Sequence, residues 1–146
     1  MNSRNMNIEK NIAFVASDNK KTDLIEWSYF NKHLLMPHKV IATGNAGNIL
    51  EGTLNKPVCK LSSAALGGYQ ELSTKITEGK VDMIIFFGDE PETLLNNNDY
   101  EVLMETALSN NIIIAKNKPT ADFVLTSALM SKNYPVKKDV VSLKAV

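Results

Sequence analysis

Five short apolar runs, each followed by a segment with helical periodicity, constrain this chain more than any other feature. They fall at residues 11–16, 38–42, 58–61, 81–87 and 112–115. Runs this short and this apolar suit strands buried on both faces, and their alternation with helices implies a parallel sheet with right-handed crossovers. The expected fold class is therefore α/β, a three-layer α/β/α sandwich around a five-stranded, mostly parallel sheet of Rossmann-type topology. Hydrophobic residues make up 44% of the 146, enough for one domain with a real core. The expected organisation is a flexible leader at residues 1–10 and a single domain at 11–146, ending in an apolar-basic tail from residue 136.

The middle of the chain carries the first chemical signal. Val40, Ile41 and Ala42 read as the end of a strand, Thr43-Gly44-Asn45-Ala46-Gly47 as a tight loop, and Asn48 onward as a helix. A small glycine-containing loop leading into a helix leaves backbone N–H groups at the positive end of the helix dipole, which suits an anion. The glycines also have a bland reading, as residues that only permit a sharp turn. In an open parallel sheet, ligands bind outside the carboxyl ends of the strands. The loops there are residues 17–21, 43–47, 62–69, 88–98 and 116–120, and each carries glycine, hydroxyl, amide or charged side chains. Their agreement points to a polar small-molecule site, with Lys21 facing an anion beside Gly44.

Charge narrows the classes of partner. Lysine and arginine balance aspartate and glutamate, so no global field favours nucleic acid or an anionic membrane. Arg4 is the only arginine, which leaves lysine, hydroxyls and backbone amides to hold any phosphate. Cys59 is the only cysteine and is expected to be a buried strand residue. His33 and His38 lack metal-ligand spacing and read as structural or exposed. No apolar run approaches the roughly 18 residues of a membrane span, and the asparagine-rich start lacks an apolar signal core. The expected location is the cytoplasm.

The pieces I-A-F-V-A-S-D-N-K-K, A-T-G-N-A-G-N, L-G-G-Y-Q-E, I-T-E-G-K-V-D-M-I-I-F-F-G-D and A-K-N-K-P-T-A-D-F, in this order and spacing, resemble the methylglyoxal synthase family. The resemblance spans residues 11–125. It implies a cytoplasmic homo-oligomer, often a hexamer, that needs no metal or other cofactor. It also implies an activity, the conversion of dihydroxyacetone phosphate to methylglyoxal and phosphate. In that reaction an aspartate removes a proton beside the carbonyl, a histidine polarises the carbonyl, and phosphate leaves from the enediolate.

Carried over by position, the resemblance assigns a phosphate cradle of Lys21, Thr43, Gly44, Asn45, Ala46, Ser63 and Ala64. Asp18, Asp89 and Asp99 fall on family aspartates. Asn45 and Ala46 stand where the family has threonines, Ala64 where it has glycine, and Ser17 where it has histidine. The chemistry is altered more. Tyr69 occupies the position of the base, and Asn96 falls near the position of the carbonyl-polarising histidine. A phenol with an ordinary pKa near 10 is a poor base at neutral pH, and an amide cannot shuttle protons. Three readings follow: a lyase with a relocated base drawn from Asp18, Asp89 or Asp99; a module that senses a phosphorylated metabolite; and a fold kept for interaction alone.

Overall fold

The run M-I-I-F-F is buried at every position and forms an interior strand of a five-stranded parallel sheet. The computed structural model describes residues 3–88 and 98–137. Its strands are β1 (Ser3–Met6), β2 (Asn11–Ala16), β3 (Lys39–Thr43), β4 (Cys59–Leu61), β5 (Met83–Phe87), β6 (Ile113–Ala115) and β7 (Tyr134–Lys137). The helices are α1 (Lys21–Phe30), α2 (Lys32–Leu35), α3 (Asn45–Leu54), α4 (Gly68–Thr77), α5 (Asn98–Ser109) and α6 (Lys118–Leu125). None of the described helices is long and apolar enough to cross a membrane.

Strand order in the sheet is β4-β3-β2-β5-β6, every pair parallel. Alternate side chains of the strands feed two cores. Ile12, Phe14, Val40, Ala42, Met83 and Ile85 pack under α1, α3 and α6, with Trp27 edge-on to Phe14 and Phe87. Ala13, Val15, Ile41, Ile84 and Phe86 pack under α4 and α5. That is the three-layer α/β sandwich the alternation implies. The chain runs outward from β2 through β3 to β4, then returns to pair β5 on the other side of β2. The crevice between the carboxyl ends of β2 and β5 is thus the topological switch point, the usual ligand position in such sheets.

Several expectations are corrected. Residues 3–6 are not a frayed leader: β1 pairs antiparallel with β7, and Met6 is buried. Its partner lies some 130 residues away, so no local pattern announces it. Cys59 is exposed, because β4 is an edge strand and Val58 takes the buried position beside it. The loop expected at 43–47 shrinks to Gly44, since Thr43 still belongs to β3 and Asn45 already belongs to α3. The last helix is capped by Asn117, whose Oδ1 accepts from the Thr120 N–H at 2.9 Å. Pro119 sits inside its first turn, where a missing N–H costs nothing. The helix stops at Leu125 and is followed by a separate turn of 3-10 helix at Ala128–Ser131.

Candidate functional site

Gly44 caps α3 with φ +58 and ψ −142, a conformation open to glycine and to few other residues. Its N–H donates to the Leu61 and Ser62 carbonyls at 3.1 and 3.3 Å. A Cβ added at Gly44 would stand 3.4 Å from the Ser63 Cα. The loops after β3 and β4 are therefore in contact. The first N–H groups of α3 have no acceptor within the helix, and no side chain caps it. Thr43 is buried at the strand end, Asn45 is exposed, and Ala46 is buried under the first turn. Ser63 and Ala64 are half-buried beside them.

The neighbouring loop leaves β2. Ser17 N–H donates to the Phe87 carbonyl at 2.9 Å, so the ends of β2 and β5 are tied where the topology reverses. Asp18 opens a short 3-10 turn and Lys21 begins α1. Both are exposed, and among the described residues neither side chain has a hydrogen bond or an ion pair. Lys20, by contrast, reaches Asp23 at 3.7 Å. A cation at the positive end of a helix is unfavourable on its own, so α1 gains nothing from Lys21 at this place. A groove of about 970 Å³ opens beside this loop between α1 and α6, with Lys20, Trp27, Gly88 and Lys116 in its wall. Trp27 spans its floor and donates from Nε1 to Asp122 at 2.7 Å.

Tyr69 is the decisive position. It lies in the first turn of α4, only 5% exposed, in the second core. Its ring centroid is 5.9 Å from that of Tyr100, which in turn meets Phe86 edge-on and has the Lys116 ammonium 5.4 Å from its centroid. Burial, with the Tyr100 phenol as a smaller contribution, pushes the Tyr69 pKa up to about 12. The Tyr69 side chain is therefore a neutral phenol at neutral pH.

Two neighbours on α4 were not legible as functional in the sequence. Gln70 donates from Nε2 to the Asp99 carboxylate at 3.2 Å, which ties the start of α5 to the start of α4. Asp99 is thus held beside the residue that follows Tyr69. Glu71 accepts from the Ser62 N–H and Oγ–H, both at 2.8 Å. Those donors hold its carboxyl below the usual carboxylate range. It clamps the loop after β4 and faces away from proton transfer. Asp89 and Asn96 lie outside the described residues.

The sequence matches no protein-family model. It is 36% identical over 137 residues to the methylglyoxal synthase of Photorhabdus laumondii, spanning 94% of this chain and 90% of that one. It is 41% identical over 125 residues to the methylglyoxal synthase of Coxiella burnetii, spanning 86% and 87%. The chain belongs to the methylglyoxal synthase family. The fold agrees: the crystal structure of methylglyoxal synthase from Elizabethkingia anophelis superposes with a TM-score of 0.83 at 33% identity, covering 94% of this chain and 91% of that one. Membership in the methylglyoxal synthase family thus rests on sequence and on fold together.

Proposed function

We propose that this member of the family binds a small phosphorylated metabolite at the carboxyl end of the sheet, and that its lyase chemistry is impaired. The binding half rests on the start of α3, which no side chain caps, beside Ser63, and on Lys21, which has no ion pair among the described residues. These groups offer backbone donors, a hydroxyl and a cation, the set a phosphate needs when arginine is missing. Thr43, Asn45, Ala46 and Ala64 complete the cradle by position. The single observation that carries the second half is Tyr69, buried and with its pKa pushed up to about 12. A general base works best with a pKa near the operating pH, and loss of one slows a reaction roughly 10²–10⁴-fold. Conversion of dihydroxyacetone phosphate to methylglyoxal is the reaction the resemblance implies, with phosphate as the leaving group. Assembly into homo-oligomers belongs to the same reading, and Phe30 and Phe123, 80% and 81% exposed, offer apolar side chains for it.

One observation favours a second reading, an active lyase. The Asp99 carboxylate stands hydrogen-bonded to Gln70, next in sequence to Tyr69, the residue at the position of the missing base. The experiment is turnover of dihydroxyacetone phosphate, read as methylglyoxal, by wild type, Tyr69→Asp, Asp99→Asn and Lys21→Ala, with inorganic phosphate binding measured on each. The expected result is saturable phosphate binding that Lys21→Ala weakens, with wild-type turnover roughly 10²–10⁴-fold below the Coxiella burnetii relative. Turnover equal to that relative, abolished in Asp99→Asn, would replace this reading with a relocated base. Absence of phosphate binding in the wild type would leave the fold as an interaction module.

A further inference from the structure

A second cavity lies at the opposite edge of the sheet, under the β1–β7 ribbon and away from the site above. It holds about 370 Å³, within the range of small-molecule pockets. Met6, Met83, Ile113, Met130 and Val136 make its wall largely apolar, and three of these five are the pliable methionine. Its floor carries one charge. Lys10 is 1% exposed, and its ammonium donates to the Asn7 and Lys132 carbonyls at 2.6 and 2.5 Å. An ammonium has three N–H donors, so one remains without an acceptor among the described residues.

The surroundings leave this cation short of a counter-charge. Arg4, half-buried, is another cation at this edge, and its Nη1 donates to the Asp82 carboxylate at 2.5 Å. Asp82 also accepts from the Asn11 N–H at 2.7 Å and the Asn11 side-chain amide at 3.1 Å, so its two oxygens are occupied. His38 accepts the Lys10 N–H at Nδ1 and is held neutral by burial and by the nearby lysines. A buried cation and a half-buried one thus share one buried anion. A buried charge without a partner is costly, and a cavity opens directly onto this one. Lys137 adds a further cation at the mouth.

We propose that this cavity binds an amphipathic monocarboxylate, with its apolar tail among the methionines and its carboxylate on Lys10. The fit is one of shape and charge: an apolar chamber ending in a single cation with a donor to spare. A phosphate ester suits it less, because a dianion would meet one buried ammonium in a wall that is otherwise largely apolar.

Calorimetric titration of the full chain with octanoate, below its micelle concentration, tests this against octan-1-ol as the uncharged control. The expected result is saturable binding of one octanoate per chain, with octan-1-ol weaker by about tenfold or more, the size of a lost charge-assisted hydrogen bond. Lys10→Met should weaken octanoate by a similar factor. Val124→Phe, which fills the cavity from α6, should abolish binding while the circular dichroism spectrum stays native. No saturable octanoate binding, equal affinity for the alcohol, or unchanged affinity in a folded Val124→Phe protein would each overturn the proposal. The comparison of acid with alcohol on the wild type stands even if Lys10→Met fails to fold.

Discussion

Tyr69 carries the most consequence of any single side chain here, and its burial makes a test possible in a pH range where few groups act. Its pKa is about 12 in the folded chain against about 10 in a solvated one. The folded state therefore keeps the phenolic proton after the unfolded state has begun to lose it. Below pH 10 the full contribution to stability is present; between pH 10 and 12 the unfolded chain binds fewer protons, and stability falls as pH rises. At pH 11 the expected loss is roughly 1–1.5 kcal/mol from this residue alone. Tyr69→Phe removes the titrating group and should lose less stability between pH 8 and pH 11 in urea titrations than the wild type does. Equal losses would mean that the phenol is solvated. The exchange of aspartate for tyrosine after a glycine pair was legible in the sequence. The direction of the ring was not, because it depends on Tyr100 and Phe86, which arrive from two other elements.

The turn from β4 into α4 shows what an element boundary adds. Gly68 begins the helix, its N–H donates to the Ser63 carbonyl at 2.8 Å, and a Cβ there would fall 2.1 Å from the Ser62 carbonyl oxygen. Backbone meets backbone at this point, so no rotamer change relieves the clash. Gly68→Ala should cost roughly 3 kcal/mol, at the upper end of overpacking. Gly52, on the exposed side of α3 with open space around it, is the control. Gly52→Ala should stabilise by about 0.4–1 kcal/mol through the unfolded chain. Paired denaturant titrations read both; two changes of the same sign would defeat the account. A glycine pair before a helix was visible in the sequence. That the second glycine serves a close approach while Glu71 pins the same loop through Ser62 required the fold.

Ser3–Met6 and Tyr134–Lys137 meet in the β1–β7 ribbon, and its anchor joins residues far apart in sequence. Arg4 and Asp82, with side chains 12% and 4% exposed, form a pair at 2.5 Å, and Asp82 immediately precedes the strand that leads to the switch point. Removal of one partner leaves a buried charge, which typically costs about 3–5 kcal/mol. Arg4→Met should therefore lower the melting temperature and release the ribbon, seen as faster amide exchange in both β1 and β7. Retained exchange protection in β7 would mean that the strands hold without the ion pair. The only arginine of the chain is thus a structural clasp for its first strand, whereas the sequence places it in a polar leader.

Apolar runs of four to seven residues alternating with helical segments were enough to specify the parallel three-layer sandwich, because each run is itself the buried strand and each period is itself the buried helix face. Glycine, hydroxyl and lysine positions were enough to locate a polar edge, since a strand's carboxyl end is a position along the chain. The tertiary fold alone decided which of these groups touch. It buried Tyr69 and gave it a pKa far from neutrality, set Asp99 on Gln70, turned Cys59 outward on an edge strand, and closed β1 on β7. Each of those outcomes depends on partners distant in sequence, and hydrophobic burial and hydrogen bonding act on what is near in space, which a local pattern does not record.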